Sequence, residues 1–416
     1  MSKKTIRDLP GDLGGKKILV RCDLNVAIDE KTGEIRNDRR IRASLPTLSD
    51  LLGRNASLIV MSHLGRPKPG ADAAKNAPFS MKNVSKRLGE YLKRPVVQAT
   101  DVGGPDARDK ASALKPGEIM LLENVRFHPF EQPLKEGTDE QKAAHKEGMK
   151  KLAGDLASLG DIYVNDAFGS LQNKDVSVLG LPKAMAGKPR VMGLLVEKEL
   201  NIIDRILAHF ERPMIGIMGG AKVSDKIKFI EVLLKKVDEL LIGGKMTYTF
   251  LKARGDSIGA MTVDPKDLEL VARLLPQVGK KIVLPLDSIA IGQDPGSTIR
   301  DIAGPLPEGL SGADIGPKTV DLYRRKIAGA KTVIWNGPVG WFERMPFDRG
   351  SRGIAMALAE LTAKGGTTVV GGGETAEAVE EFGLADKLTH VSTGGGAFLK
   401  YVEERRFDTL DLLDDR

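Results

Sequence analysis

What most constrains the fold of this chain is a series of short, unbroken apolar segments separated by longer amphipathic ones. Ile18-Leu19-Val20, Leu58 to Met61, Ile119 to Leu122 and Ile162-Tyr163-Val164 lie in the first half. Met214 to Met218, Leu240-Leu241-Ile242, Ile282-Val283-Leu284, Val333-Ile334-Trp335 and Thr368-Val369-Val370 lie in the second. Unbroken hydrophobicity suits a parallel strand covered on both faces, whereas a half-exposed strand would alternate. Between the runs are helix patterns. One spans Asp225 to Leu240, with Ile227, Ile230, Leu233, Leu234 and Val237 on one face and Ser224 as N-cap. Alternating strand and helix predicts an α/β fold with two doubly wound parallel-sheet domains of Rossmann-like form.

A chain of 416 residues exceeds a typical single core. We place an N-terminal domain over 1–187, a second over 188–394, and a C-terminal segment, 395–416, returning to the first. A helix from Leu194 to His209 joins the halves as a hinge. No apolar run approaches the ~18 residues a membrane span needs, and no apolar stretch follows the basic start. With a single cysteine, Cys22, internal disulfides are excluded and a cytoplasmic setting is expected. The net charge of +7 favours anionic ligands, yet aromatics are only 5%, with no basic run interleaved with stacking side chains. Small polyanions fit better than nucleic acid.

Ligands of open parallel sheets bind beyond the carboxyl ends of the strands. In the first half those ends carry Arg21, Asp23 and Asn25, then His63 and Arg66, then Arg126, then Asn165-Asp166, while Arg40 opens a helix. A guanidinium fork binds two oxygens of a phosphate or carboxylate at once. Any one of these arginines alone reads as a surface residue. Four of them with a histidine at successive strand ends read as an anion site.

The second half ends its strands in glycine: Gly219-Gly220-Ala221-Lys222, Gly243-Gly244-Lys245, Asn336-Gly337-Pro338, Gly371 to Thr375 and Gly394-Gly395-Gly396. Glycine admits phosphate oxygens close to backbone amides at helix starts. Each turn alone is equally well explained as a tight strand-to-helix connection, but the set favours a nucleotide. Lys222 and Lys226, one helical turn apart, are expected to face the same phosphates. There is no Walker A pattern. Gly371-Gly372-Gly373-Glu374-Thr375-Ala376 loosely matches a dinucleotide fingerprint, so an NAD-dependent dehydrogenase stays open as a lesser alternative, beside a non-catalytic nucleotide binder.

Taken together, these segments resemble the phosphoglycerate kinase family along nearly the whole chain. The matching stretches are Arg21 to Val26, Met61 to Pro67, Leu121 to Phe127, Gly219 to Lys226, Asp314 to Thr319, Trp335 to Gly340 and His390 to Ala397. The resemblance implies a monomeric, hinge-bending glycolytic enzyme. It would move a phosphoryl group reversibly between Mg-ATP/ADP and the carboxylate of 3-phosphoglycerate, closure excluding water from the acyl phosphate. It assigns Asp23 and Asn25 to the acceptor's hydroxyl, and His63, Arg66 and Arg126 to its phosphate, with Arg21 beside them. Arg40 aligns the carboxylate and stabilises the moving group, Lys222 bridges it, and Gly395 and Gly396 offer amides. Gly219, Gly220, Ala221, Lys226, Gly243, Gly244, Asn336, Pro338, Glu343, Gly372, Gly373, Glu374 and Thr375 surround the nucleotide. Glu343 bonds the ribose, and Glu374 is linked to the metal.

Three departures stand out. Gln172-Asn173 occupies the place of a His-Arg pair, and the missing arginine would have been a phosphate ligand. Such a bond is worth about 1.5–3 kcal/mol, roughly tenfold to hundredfold in affinity. Lys174 lies one residue displaced from that position. The change leaves open a family relative that forms an acyl phosphate on a different small acid. Glu374 replaces an aspartate, keeping the carboxylate, and the stretch from Phe398 through Lys400 to Arg406 differs from the family's usual ending.

Overall fold

The computed structural model describes residues 3–68, 73–292 and 298–416. The chain forms two compact units, residues 1–201 with 406–416, and residues 202–405.

In the first unit the strands are β1 (Lys17–Cys22), β2 (Ala27–Ile28), β3 (Ile35–Asn37), β4 (Ser57–Met61), β5 (Val96–Gln98), β6 (Ile119–Leu121), β7 (Ile162–Asp166) and β8 (Arg190–Met192). β2 and β3 pair as a small antiparallel ribbon, and the other six form one sheet in the order β5-β6-β4-β1-β7-β8. All pairings in that sheet are parallel, with Leu19 level with Ile59 on one side and Tyr163 on the other. β4 and β7 are buried at every residue, as suits strands whose centres are the apolar runs Leu58 to Met61 and Ile162-Tyr163-Val164. The helix Arg39–Gly53 turns Ile41, Leu48, Leu51 and Leu52 into a core shared with Ile18, Val20, Leu58 and Val60.

The second unit holds β9 (Met214–Met218), β10 (Glu239–Ile242), β11 (Ile282–Val283), β12 (Asp287–Gly292), β13 (Arg300–Ala303), β14 (Leu310–Ile315), β15 (Thr332–Asn336), β16 (Thr367–Gly371) and β17 (His390–Val391). Six of them form a second parallel sheet, β11-β10-β9-β15-β16-β17. The other three make an antiparallel sheet, β13-β12-β14, over its own small core of Tyr248, Leu251, Ile258, Ala290, Leu306 and Leu310. In both parallel sheets the chain winds outward from one strand and then returns to that strand's other side. The order therefore reverses between β1 and β7 and between β9 and β15, the kind of position at which open parallel sheets generally bind ligands.

The structure moves several boundaries. Residues 188–201 belong with the first unit because β8 completes its sheet. The division falls within the helix Leu194–Ala208. Residues 395–405 pack in the second unit, where Phe398 meets Phe229, and only 406–416 belong with the first. That short tail is well packed: Phe407, Thr409, Leu410 and Leu413 are buried, and Thr409 Oγ1 donates to the Leu171 carbonyl at 2.6 Å. The expected helix from Asp225 shrinks to Ile227–Leu234, with Lys226 rather than Ser224 at its N-cap. The amides of Val223 and Ser224 instead donate to the buried Asp267 carboxylate at 2.9 Å each, which holds this stretch as an irregular turn.

Candidate functional site

In the first unit, polar groups gather at the carboxyl ends of β1, β4 and β7. Arg21 lies within β1 and is wholly buried, beneath the rim rather than on it. Its Nε donates to Ser177 Oγ at 2.9 Å, Nη1 to the Cys22 carbonyl, and Nη2 lies 2.9 Å from His63 Nδ1 and 3.4 Å from Ser170 Oγ. A guanidinium donates only, so His63 Nδ1 must accept and the imidazole is held neutral. Burial, and then the charges of Arg21, Arg126 and Arg40, push the His63 pKa well below its ordinary value. That dependence places three cations around one ring.

Arg40, in the first turn of its helix, donates from Nη1 to the buried Asp23 at 3.0 Å and keeps part of its side chain exposed. Asn25 does not present its carbonyl to solvent, since Oδ1 accepts from the Gly65 amide at 2.7 Å. Arg126 is held by a bond from Nη1 to the Gly65 carbonyl at 2.8 Å, while its Nε is buried without a partner. Arg66 is exposed and close enough for its charge to act on Arg126. The sequence thus located the cluster, but not Ser170 and Ser177, which hold Arg21, nor Glu131 and Asp175 beneath it. Gln172 and Asn173 are half-buried, Asn173 Nδ2 donates to Asp175 at 3.2 Å, and Lys174 is exposed.

In the second unit the glycine turns converge. The Gly219 amide donates to the Asn336 carbonyl at 2.9 Å, Gly220 to Pro338 at 3.0 Å, and Gly244 to Val339 at 2.8 Å. A Cβ on Gly243 would meet Val339 at 2.5 Å, and one on Gly395 would strike the Gly372-Gly373 backbone. Gly372 has φ +104°, a conformation natural to glycine, and its space is bounded by Asn336 and Thr375. Thr375 is buried and its hydroxyl accepts from the Gly337 amide at 2.7 Å, so it braces one turn against another.

Asn336, the last residue of β15, is 1% exposed, and neither its Oδ1 nor its Nδ2 has a partner. Buried amides are normally bonded, so an orphan among phosphate-type turns marks a place for a ligand. Lys226 turns inward: Nζ donates to the Gly219 carbonyl at 2.9 Å, and burial, opposed by Glu374 and Asp225, pushes its pKa down to about 8. Lys222 is exposed in the turn before the helix, so the expected face shared by two helical lysines does not form.

Alongside lies a cleft of about 370 Å³, a size suited to a small ligand. Of the expected residues, Gly220, Ala221, Gly244, Pro338, Glu343 and Glu374 line it. Sequence reasoning missed Tyr248, Met261, Ser288, Ile291, Gly312 and Trp341 on its walls. Most come from or against the antiparallel sheet, whose strands mix polar and apolar residues and are only partly buried. Trp341, stacked on Phe347 at 6.2 Å, was findable as a tryptophan just beyond the Asn336–Gly340 turn.

Magnesium asks little of the protein: typically one or two carboxylates, with waters and substrate phosphates completing the shell. Glu374 is exposed at the start of the helix Gly373–Glu381 and lines the cleft, while the described residues hold no group of three candidate ligands. This donor set fits a metal carried by nucleotide phosphates.

Comparison with known proteins places the chain in a family. The model of the family described as phosphoglycerate kinase matches residues 6–405. A phosphoglycerate kinase of Rhodopirellula baltica is 43% identical over 419 residues, and one of Chloroflexus aggregans 44% over 422, each covering 100% of both chains. Among solved structures, phosphoglycerate kinase from Coxiella burnetii aligns with TM-score 0.76 at 32% identity, covering 99% of this chain and 98% of its own. That from Pyrococcus horikoshii aligns at 0.81 and 28%, with the same coverage. A family match over residues 6–405, with relatives 43–44% identical over the whole chain, makes this chain a member of the phosphoglycerate kinase family.

Proposed function

We propose that the chain is a phosphotransferase that moves a phosphoryl group reversibly between ATP/ADP and the carboxylate of 3-phosphoglycerate. The carrying observation is that the family match runs through both half-sites and that each supplies its own kind of chemistry. Nothing in the comparisons supports a dehydrogenase or a silent binding protein.

On this reading Arg66 and Arg126 hold the acceptor's phosphate. His63, kept neutral by Arg21, contributes a hydrogen bond without adding charge. Arg21 itself acts as a positioning residue. Arg40, fixed by Asp23, presents its guanidinium to the acceptor carboxylate and to the group in flight. Gly219, Gly220, Gly243, Gly244, Gly372 and Gly373 let backbone approach the nucleotide phosphates, with Lys226 and Asn336 beneath them. Glu343 serves the ribose, and Lys222, Gly395 and Gly396 serve the transferring group. Bound Mg²⁺ would neutralise phosphate charge, with Glu374 as its link to the protein. Phosphoryl transfer needs alignment and charge stabilisation rather than a covalent enzyme intermediate. Hinge closure, a monomeric state and a cytoplasmic, glycolytic setting belong to the same proposal, supported by the family. No helix among the described residues is long and apolar enough to cross a membrane.

The test is ATP-dependent acyl phosphate formation, trapped with hydroxylamine, from 3-phosphoglycerate and from related unphosphorylated acids. Turnover of 3-phosphoglycerate above the others is expected. Turnover of another acid alone would replace this reading.

A further inference from the structure

Beneath the cations of the first unit lie two buried acids that the proposed reaction does not use. Glu131 is fully buried, and accepts from Ser177 Oγ at 2.6 Å and from the Ser177 amide at 3.1 Å. Burial, and then the charge of Asp175, push its pKa up to about 8. At neutral pH Glu131 is therefore mostly protonated.

Asp175 is 3% exposed. It stands at the start of the turn Val176–Gly180, yet its side chain makes no capping bond to that turn. Its carboxylate has two partners. Asn173 Nδ2 donates to Oδ2 at 3.2 Å, and Arg126 Nη2 lies 3.9 Å from the same oxygen. Arg126 is one of the guanidiniums assigned to the acceptor's phosphate. Asn173 stands where the family resemblance expects an arginine in the same role. At one edge of the anion site, this chain has thus lost a cation and placed a carboxylate beside a second cation.

We propose that Asp175 is a specificity-determining residue that competes with the acceptor's phosphate for Arg126 and weakens the grip on phosphorylated acids. This rests on the function proposed above. The physical reason is that a like charge beside an incoming anion in a partly desolvated site costs affinity, and a carboxylate 3.9 Å from Arg126 Nη2 offsets part of the charge that the guanidinium offers the ligand. Asn173 holds the carboxylate in that position, where an arginine would have bound the ligand directly.

The experiment is calorimetric titration of the full chain with 3-phosphoglycerate and with inorganic phosphate, for the native protein, Asp175→Asn and Asn173→Asp. Asparagine at 175 retains an acceptor for Asn173, so the loop has a partner after the charge is gone. Asp175→Asn is expected to bind both anions about tenfold more tightly, and Asn173→Asp to bind them about tenfold more weakly. ADP affinity, read in the same samples, should not move. In turnover, the fall in KM for 3-phosphoglycerate should exceed any change in kcat. Unchanged or weaker anion binding by a folded Asp175→Asn protein would overturn the proposal. Should that variant not fold, Asp175→Ser and the opposite shift in Asn173→Asp decide it. Failure of native protein to turn over 3-phosphoglycerate would sink the functional reading alone, because the phosphate titration measures the role of Asp175 without catalysis.

Discussion

Arg21 Nη2 sits 2.9 Å from His63 Nδ1, so the most buried cation of the first unit fixes the protonation state of the histidine beside it. The sequence suggested two groups reaching for the same ligand. In the structure one holds the other.

The imidazole should therefore stay neutral through the physiological range. Its folded pKa lies well below the ordinary 6.5. Below about 6.5 the unfolded chain takes up a proton that the folded one refuses, so this group's contribution to stability is full above that pH and is lost as pH falls. Proton-detected NMR of the ring should show no titration of His63 between about pH 6 and 8. A midpoint near 6.5 would mean that the Arg21 contact does not exist in solution.

Glu131 should give the opposite slope. Its pKa is raised from 4.5 to about 8, so across that window the folded state binds the extra proton and stability declines as pH rises. Glu131→Gln keeps one acceptor oxygen for Ser177 and removes the ionisation. Thermal melts from pH 5 to 9 should show the variant gaining on the native protein toward alkaline pH. Asp166, raised to about 7 by burial, should leave a residual slope in both. A constant gap across the range would show that Glu131 is not the group responsible.

Lys226 carries a prediction about the nucleotide. With its pKa pushed down to about 8, its charge is present at pH 7 and fades through that value. ADP affinity should weaken between pH 7 and 9, and Lys226→Arg, which stays charged, should flatten the profile. Lys226→Met should cost roughly tenfold to hundredfold in ADP affinity at pH 7. Calorimetry at three pH values checks both, and a profile unchanged by arginine would separate Lys226 from the phosphates.

Phe398 and Gly371 should prove coupled. A Cβ on Gly371 would press into the Phe398 ring, with Cε1 only 2.6 Å away, and the ring in turn lies 6.1 Å from that of Phe229. Gly371→Ala should cost about 1–3 kcal/mol by overpacking, and Phe398→Ala about 3–5 kcal/mol by leaving a cavity. In a double-mutant cycle by chemical denaturation, the Gly371→Ala penalty should largely vanish once the ring is gone. Additive losses would show that the two do not share space. The Phe398 departure from the family's ending would then need another account.

Much of this was legible in the residues themselves. β1, β4, β6 and β7 of one sheet, and β9, β10, β11, β15 and β16 of the other, announce themselves as apolar runs because strands buried on both faces can hold little else. The edge strands β5, β8 and β17 did not, being short and partly polar or exposed. The antiparallel strands β12 to β14 did not either, because polar residues and glycines are interspersed along them and they are only partly buried. Their absence from the sequence reading removed about a third of the wall of the cleft in the second unit.

The sequence by itself determined the two parallel sheets, the arginines at the strand ends of one and the glycine turns of the other, because those depend on local composition and on where each strand stops. Only the tertiary structure decided how the charges are used. It placed Arg21 against His63, turned Lys226 onto the Gly219 carbonyl, and set Asp175 against Arg126. Those outcomes depend on burial and on partners distant in the chain. A local pattern can name a charged residue, but which charge it meets is settled by packing.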